Sequence, residues 1–517
     1  MKAAVYIGFF LLILFSEMGS YENFALPAPC TTMVESHAYF HPHAPLTPLP
    51  FPRAFHQRAK HLSLSEAILL ALRNNPDVIS SELQRVVDKF ALEVAHNEFE
   101  PQFTLGGTAG YAWRSKPTYS LNAGVSVKTP LGTVLETSYG TSFTGGPGSA
   151  TITITQPLLK GAGWAYNIID FANAVDDERV ARLTFKNSII TAVDAVIKAY
   201  RTLVEDYNKL TIQRRTLLRI EQTVRQSELR VKAGKLAPSD LLQQQANLAS
   251  TRLSMMQQQS SLDADYQAFL KTLGLTATAK VIIDQRIEEA IYPIPSVDAA
   301  IRLALLNNID YQTSVIQLRA ARRAVISAKN QARWQLDIVA STTIGNGNGN
   351  GNGNGNGNGN GGGSSISPIS QGSAPITGGG GGPSLGFTLN IPINDVQAKA
   401  QIIDARIELE QAKLALEEKK EDLIRNVTNQ INQLHNQYAQ IKVAEHGVEL
   451  QRRTLENAQL KLRFGKTTVF EVNQLQDQLL EQETDLVAQR IEFLNAITDL
   501  DNTLGITLDK WGITLRY

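Results

Sequence analysis

Apolar residues alternate with small or polar residues in several short segments of the chain, and this spacing predicts β-strands with one apolar face. The segment "QFTLGGTAGYAW" is the clearest case, because its apolar residues from Phe103 to Trp113 fall on one side of an extended strand. The alternation recurs at Leu121, Ala123, Val125 and Val127, at Leu135, Tyr139 and Phe143, at Ile152 and Ile154, at Leu336, Ile338 and Ile344, and at Leu385, Phe387, Leu389 and Ile391. Predicted strands therefore cluster in two parts of the chain.

Two long segments instead carry an apolar residue at every seventh position, which predicts α-helices that supercoil against neighbouring helices. They run from Ala165 to Lys232 and from Asn394 to Phe464, and neither contains a proline. At 1.5 Å per residue, each helix would extend roughly 100 Å. The two seams consist of Leu203, Leu210, Leu217, Val224 and Val231, and of Val427, Leu434, Ile441, Val448, Leu455 and Leu462.

Shorter helical segments accompany each long one. Two of them return from a glycine-containing turn, at Pro238 to Leu273 and at Thr468 to Leu504, and two precede the strands, at Ser65 to Glu98 and at Val297 to Gln331. We expect one segment of each kind to match together the length of one long helix. The chain would then contain two long antiparallel hairpins.

The two halves of the chain repeat one order of landmarks, which indicates an internal duplication. "AILLALRNNPD" at 67–77 matches "AIRLALLNNID" at 300–310, at an offset of about 230 residues. "RVKAGKLAPSDLL" around Gly234 matches "KLRFGKTTVFEVN" around Gly465, and "TITITQPL" matches "FTLNIPIN" in the same order. The predicted segments are a signal peptide at 1–20, a Pro/His-rich leader at 21–61, a first repeat at 62–285 with strands at about 102–158 and a helical hairpin at about 165–273, a second repeat at 286–508 with strands at about 335–391 and a hairpin at about 394–504, and a tail at 509–517.

The alternating segments fit either a soluble β-sandwich or a transmembrane β-barrel. The second repeat offers only two strands, and an isolated two-stranded hairpin is marginal in water. Its strands therefore need other chains or lipid, and a transmembrane barrel supplies both. The tract "GNGNGNGNGNGNGNGN" at 345–360 lies between these two strands, within a Gly/Asn-rich loop at 345–383, and we expect an exposed loop at the barrel mouth.

Composition narrows the choice. Lys plus Arg and Asp plus Glu are both 49, so the chain has no basic excess to attract nucleic acid. The apolar run from Ala3 to Phe15 is too short to span a membrane and fits a secretory signal. Cys30 is the only cysteine, which excludes an intrachain disulfide and leaves lipidation open. The leader histidines His37, His41 and His43 are of the type that binds metal, but solvated linker histidines are the expectation, and we predict no metal site and no cofactor.

The duplicated order, "QPLL" at 156–159, "NNPD" at 74–77 and the paired tips "AGKLAPSDLL" and "FGKTTVFEV" resemble the TolC-like outer membrane factors over about residues 62–508. The resemblance implies an α+β membrane protein that forms a homotrimer. Its β-barrel would lie in outer membrane lipid, with four strands per protomer, and would continue into a long periplasmic α-helical barrel. A further alternating pair, Tyr119 to Lys128 and Thr133 to Phe143, makes six strands per protomer the alternative.

The resemblance also implies where the functional residues lie. Gly234 and Gly465 would mark the periplasmic tips. In the family, carboxylates six and nine residues after the second glycine narrow the entrance; here Glu471 and Gln474 hold these positions, with Asp477 beyond them and Asp240 at the first tip. Thr468 to Glu471 also reads as a helix capping box. The predicted adaptor contacts are Gly234, Lys235, Leu236, Gly465, Lys466 and Thr467.

The expected function is a passive exit channel of a tripartite efflux pump, which docks through a periplasmic adaptor to an inner-membrane transporter. The alternatives are the outer membrane component of a type I protein secretion system and, from another class, an exported structural coiled-coil protein. No enzyme is expected, because the sequence offers neither a P-loop nor a nucleophile elbow nor a His-x-x-x-His pair on a predicted helix.

Overall fold

A computed structural model describes residues 60–111, 113, 117–142, 148–234, 236–288, 294–345 and 383–515. The predicted signal peptide, most of the leader with Cys30 and its three histidines, and nearly all of the Gly/Asn-rich loop lie outside the described residues. Phe143 and Lys235 lie outside them as well.

Each repeat contains two short helices, a set of strands, a long helix and a returning helix. The first repeat comprises β1 (Lys60–Leu62), α1 (Leu64–Asn74), α2 (Pro76–His96), β2 (Gln102–Gly110), β3 (Thr118–Lys128), β4 (Val134–Ser142), β5 (Ser149–Pro157), α3 (Trp164–Asn167), α4 (Ile169–Lys232), α5 (Pro238–Thr272) and β6 (Val281–Ile283). The second comprises α6 (Val297–Asn307), α7 (Ile309–Gln331), β7 (Gln335–Gly345), β8 (Ser384–Asn390), α8 (Val396–Arg463), α9 (Val469–Thr503) and α10 (Thr507–Lys510).

Six strands form one sheet in the order β2-β3-β4-β5-β7-β8, and every neighbouring pair is antiparallel. A second, parallel sheet joins β1 to β6 beside the helices, and the sequence analysis did not predict it. The Tyr200 hydroxyl of α4 accepts a hydrogen bond from the Asp284 amide at 3.2 Å and lies 3.4 Å from the Leu62 carbonyl. One side chain thus ties the small sheet to a long helix.

The helical segments that precede the strands are each broken into two helices, where the sequence predicted one. The breaks fall at Asn75 and Asn308, whose backbones are extended, with ψ of 123° and 124°. In the first repeat Pro76 explains the break, because the residue before a proline is disfavoured in the helical region. The second repeat has Ile309 at that position, so the helix restarts there through the cap alone: the Asn308 side chain accepts a hydrogen bond from the Tyr311 amide at 3.0 Å.

These two asparagines also join separate helices end to end. We call the junction at Asn75 the first splice and the junction at Asn308 the second splice. The Asn75 side-chain amide donates to the Thr272 carbonyl at the end of α5 at 3.0 Å, and the Asn308 amide donates to the Thr503 carbonyl at the end of α9 at 3.1 Å. α2 therefore continues the line of α5, and α7 continues the line of α9. The expectation that two short helices together match one long helix is confirmed.

The glycine that follows each returning helix makes this close stacking possible. A Cβ at Gly274 would lie 2.2 Å from the Asn74 carbonyl oxygen, and one at Gly505 would lie 2.6 Å from the Asn307 carbonyl oxygen. Both glycines have positive φ, of 67° and 70°. Only a residue without a side chain permits both this conformation and this contact.

The helices of the described chain form one layer. Toward the sheet, the order across the layer is α2, α4, α7, α8, and toward the tips it is α5, α4, α9, α8. The largest buried cluster joins α1, α4 and α5 to the small parallel sheet, and Trp511, Ile513 and Leu515 after α10 pack against it. The predicted tail is thus held against the core as far as it is described.

We predict that Asn308→Ala destabilises the second splice more than Asn308→Asp does. Aspartate keeps the acceptor that caps α7 and loses only the amide donor to Thr503, whereas alanine loses both. The expected cost of the alanine variant is about 1–2 kcal/mol. Hydrogen–deuterium exchange of the amides in 500–512 measures it, and Asn75→Ala should open the first splice in the same way. Wild-type exchange rates in the alanine variants would show that the splices contribute no stability.

Candidate functional site

The strand register gathers the alternating apolar residues of all six strands on one face of the sheet. Phe103 faces Val125 on the neighbouring strand, Leu135 faces Ile154, and Ile338 faces Phe387. Glycine and threonine fill only a few positions of this face. Its members are Phe103, Leu105, Gly107, Ala109, Tyr119, Leu121, Ala123, Val125, Val127, Leu135, Thr137, Tyr139, Thr141, Ala150, Ile152, Ile154, Leu336, Ile338, Ala340, Thr342, Ile344, Leu385, Phe387 and Leu389, with Gln156 beside Ile338 at the end near the helices.

The opposite face is polar and consists mostly of small side chains. Ser, Thr and Gly dominate it, and Val134, Pro157 and Val339 are its apolar exceptions among the paired residues. Its charged residues are Lys128, Glu136 and Asp337, all close to the end of the sheet that adjoins the helices. The apolar face is left open in the single chain, where Phe103 is 78% exposed and Phe387 is 69% exposed. A sheet with this division is suited to separate an apolar medium from water.

The sheet contains six strands in each chain, which is the alternative to the expected four strands per protomer. Tyr119 to Lys128 and most of Thr133 to Phe143 form β3 and β4, which lie between β2 and β5 in the same sheet. The expected count of four strands in the barrel came from the family resemblance, whereas the alternation in the sequence favours two additional strands with the same apolar face.

Neither edge of the sheet has a neighbouring strand within the part of the chain that the structure describes. β2 is one edge strand and β8 is the other. Unpaired strand edges carry free backbone donors and acceptors, which favour pairing with another chain. A ring of several copies in which β8 of one copy pairs with β2 of the next would satisfy both edges at once.

The helical layer ends in the same two places as the sheet, because α2 leads into β2 and β8 leads into α8. Each end carries exposed apolar side chains at helical spacing. On one end these are Leu83, Val86, Val87, Phe90 and Val94 of α2 and Leu242, Leu253 and Met256 of α5; on the other they are Val396, Ile403, Ile407, Leu414, Val443, Leu450 and Leu460 of α8. The sheet therefore ends in an unpaired strand on each side, and the helical layer ends in exposed apolar side chains on each side.

The two hairpin tips lie side by side at the far end of the helices. Gly234 and Gly465 occupy the reversals with φ of 68° and 70°, as the sequence predicts. Arg230 in the last turn of α4 donates to the Leu462 carbonyl of α8 at 3.5 Å, which links one tip to the other. Of the predicted adaptor contacts, Gly234, Gly465 and Lys466 are exposed, Leu236 and Thr467 are half-buried, and Lys235 lies outside the described residues.

Glu471 has an exposed carboxylate that is held close to the second tip. Its backbone amide donates to the Thr468 hydroxyl at 3.2 Å, which is the cap expected at the start of α9. Its carboxylate accepts a hydrogen bond from the Thr467 hydroxyl. The predicted capping box is therefore only half formed in the described contacts, and the carboxylate stays on the outside of the tip.

Gln474 and Asp477 follow Glu471 on the same exposed face of α9, whereas Val472, Asn473 and Gln476 are buried on the opposite face. Partial desolvation raises the pKa of the Asp477 carboxyl. Asp240 is half-buried in the first turn of α5, where a carboxylate also interacts favourably with the helix dipole. The three exposed residues Glu471, Gln474 and Asp477 thus form one polar strip that ends at the tip.

Two aromatic side chains at the second tip were missed by the sequence analysis. Phe464 is 76% exposed and Phe470 is 67% exposed, one on each side of Gly465. The signal was present in "LRFGKTTVFEV", where a phenylalanine immediately precedes the turn glycine. Solvent-exposed aromatic residues beside a turn are typical of a contact surface.

Within the described residues, no group of three or more His, Cys, Asp or Glu side chains is arranged to hold a metal ion. None of the described helices combines the length and the apolar character that a membrane-spanning helix requires.

A buried carboxylate lies inside the first hairpin. Asp206 of α4 is 7% exposed, and its Oδ1 atom accepts a hydrogen bond from the Gln258 amide of α5 at 2.9 Å. Burial raises the pKa of Asp206 to about 6, and the neighbouring carboxylates of Asp265 and Glu205 add to the rise, whereas the Gln258 bond opposes it. The ionised form of Asp206 therefore destabilises the packing of α4 against α5.

Comparison with known proteins places this geometry in a family. A family model described as "Outer membrane efflux protein" matches residues 67–275 and 300–506, which is one match in each repeat. No curated protein matches the sequence.

Several solved structures share the fold. The outer-membrane channel OprN is 14% identical with a TM-score of 0.62, and the match covers 86% of this chain and 89% of that chain. VceC from Vibrio cholerae is 15% identical with a TM-score of 0.61, covering 86% of this chain and 96% of that chain. The CmeC outer membrane channel from Campylobacter jejuni is 13% identical with a TM-score of 0.60, covering 86% of each chain.

We predict that Asp206→Asn stabilises the first hairpin at neutral pH. The pKa of Asp206 in the folded chain exceeds its ordinary value of 3.8, so the folded state binds more protons between about pH 4 and 6, and stability falls as pH rises through this window. The variant should gain about 1–3 kcal/mol of local stability at pH 7.5 and lose this advantage near pH 4. Hydrogen–deuterium exchange of 200–215 measures the difference, with the exposed Asp263→Asn as control. An equal effect at both pH values would contradict the assignment.

Proposed function

The chain belongs to the outer membrane efflux protein family and lies in the outer membrane, and from this premise we propose that it is the exit channel of a tripartite efflux pump. Three copies form a β-barrel in the outer membrane lipid and an α-helical barrel in the periplasm. The channel is passive, and an inner-membrane transporter supplies the energy through a periplasmic adaptor. CmeC and OprN, which share the fold, are described as outer membrane channels.

The division of the six-stranded sheet into an apolar and a polar face is the observation that carries this proposal. In lipid, a sheet must close on itself, because an open edge leaves backbone groups without hydrogen-bond partners. Closure through β2 and β8 of successive copies turns the apolar face outward to hydrocarbon and the Ser/Thr/Gly face inward to water. The result is a water-filled barrel.

The edges of the helical layer support the same ring. Phe90 and its neighbours on α2 face α8 of the next copy near the sheet, and Met256 and its neighbours on α5 face α8 nearer the tips. The contact is heterologous, and a closed ring is the arrangement that leaves no edge exposed. With 64 residues in α4 and 68 in α8, the tunnel wall extends about 100 Å from the membrane.

The tips form the periplasmic entrance in this proposal. The strip from Glu471 to Asp477 lines the opening, with Asp240 beside it, and threefold symmetry brings three copies of each carboxylate together. Such a ring attracts cations and resists closure through like-charge repulsion. Gly234, Leu236, Gly465, Lys466 and Thr467, together with Lys235, form the surface that the adaptor contacts.

The test of the proposed function is conductance. The purified protein in planar lipid bilayers should form channels, and chemical cross-linking should show a trimer. A channel passes ions without an energy source, whereas an exported coiled-coil scaffold passes none. A stable trimer that never conducts, with or without the adaptor present, would contradict the exit-channel function, and a water-soluble monomer would contradict the barrel.

We predict that Glu471→Gln raises the conductance of the closed entrance and weakens its block by divalent cations. The variant removes a charge near the tip and keeps the size of the side chain. Gln474→Glu should act in the opposite sense, because it adds a second carboxylate to the same face. Single-channel recordings with and without Mg²⁺ measure both effects.

The matched control is Glu481→Gln. Glu481 lies on the same helix about 15 Å farther from the tip, and its replacement should leave the Mg²⁺ block unchanged. If Glu471→Gln and Glu481→Gln behaved alike, Glu471 would have no part in the entrance.

A further inference from the structure

The β3–β4 hairpin is an integral part of the sheet. β3 pairs with β2 on one side and β4 pairs with β5 on the other, along nearly their whole length. Removal of the hairpin would leave β2 and β5 as antiparallel neighbours, so the hairpin adds two strands to a wall that could close without it. It is therefore an enlargement of the wall and not a loop on its surface.

Both faces of the sheet continue across this hairpin without a change of register. Ala123 and Thr137 belong to the apolar face, and Asn122 and Ser138 to the polar face. Tyr119 lies on the apolar face at the end of β3 remote from the helices, near the exposed Tyr111, which is where barrels in membranes carry aromatic residues. A hairpin that stood outside the membrane would have no reason to keep this division.

The turn between β3 and β4 contacts the segment that connects β5 to α4. The Leu131 carbonyl accepts a hydrogen bond from the Gly163 amide at 3.2 Å, and the Thr133 hydroxyl donates to the Gln156 side chain. Gly132 lies so close to the Gly161 carbonyl oxygen that a Cβ would approach it to 2.5 Å. The hairpin therefore starts at the same level as the other strands.

The polar face of the enlarged wall is uncharged over most of its height. Lys128 pairs with Glu98 at 2.6 Å next to the helices, and Glu136 and Asp337 lie near the same end. Beyond that level, the described polar face consists of Ser, Thr, Gly and Asn122. Charge is thus confined to the base of the sheet.

We infer that the β3–β4 hairpin spans the outer membrane, so that three copies of the six-stranded sheet enclose eighteen strands around a wide, uncharged exit lumen. This inference rests on the proposed channel function. At ordinary strand spacing and tilt, eighteen strands give a barrel about 36 Å across, against about 24 Å for twelve. Solutes of either charge pass this lumen, and selection falls to the tips.

Cysteine labelling tests the position of the hairpin. Cys30, the only native cysteine, is first replaced by serine, and single cysteines are then placed at Asn122, Ala123, Thr137 and Ser138 of the trimer in lipid bilayers. A charged, membrane-impermeant methanethiosulfonate should modify positions 122 and 138 from the lumen and reduce the current. Positions 123 and 137 face hydrocarbon and should stay unmodified.

Thr151→Cys and Ile152→Cys on β5 are the matched reference pair, because β5 belongs to the wall with or without the hairpin. If this pair alternates but all four hairpin positions are modified equally, the hairpin lies outside the membrane and the inference fails while the channel function stands. If the reference pair does not alternate and no current flows, the channel proposal itself fails. Electron cryomicroscopy of the wild-type trimer gives an independent count, and twelve strands in the membrane would overturn the inference.

Discussion

The structure depends on one constraint: a single chain can neither cover the apolar face of its six-stranded sheet nor pair the backbone groups at the two edges of that sheet. Its apolar face is exposed in the single chain, and the outward backbone groups of its two edge strands face no other strand among the described residues. Water covers an apolar face poorly, and hydrocarbon offers no hydrogen bonds to an open edge. The apolar face is satisfied by hydrocarbon outside the sheet, the polar face by water inside it, and each strand edge by a neighbouring copy. In the proposed ring the helical layer would close together with the sheet, because its outer helices α2 and α8 adjoin the edge strands β2 and β8.

Because the chain is duplicated, each repeat has its own helix splice. The two splices have the same geometry but are formed by different residues. At the first splice a proline breaks the helix before α2, whereas the second splice has isoleucine there and relies on Asn308. The common elements are an asparagine that caps one helix while bonding to the end of another, and a glycine that lets the chain ends approach. The stacked arrangement is therefore a requirement of the wall and not a by-product of proline.

The sequence predicts the periodic parts of this molecule well. Heptad seams and alternating strands follow from burial of one face, and the buried positions Val427, Leu434, Ile441, Val448 and Leu455 are the ones that the seven-residue spacing gives. The parallel pairing of β1 with β6 was missed, since three-residue strands carry no periodic signal. The break at Asn308 was missed for a related reason, because a cap without proline looks like ordinary helix composition.

The candidate site was predicted less completely than the fold. Turn glycines are recognisable because few residues adopt positive φ, and Gly234 and Gly465 lie where they were expected. The direction of a side chain near the tip depends on contacts with neighbouring copies, which one sequence does not encode locally. The roles of Glu471 and Asp240 therefore stay predictions. The exposed Phe464 and Phe470 show that apolar residues at a turn were undervalued beside the charged ones.

The splices have a mechanical consequence. A continuous helix is held by backbone hydrogen bonds along its whole length, whereas at each splice a side-chain hydrogen bond from an asparagine joins the two helix ends. Two of the four helical lines across the layer are therefore interrupted, one at Asn75 and the other at Asn308. The other two lines, α4 and α8, are unbroken. Because segmented and unbroken helices alternate across the described layer, each splice lies beside an unbroken helix that limits any displacement of the two helix ends.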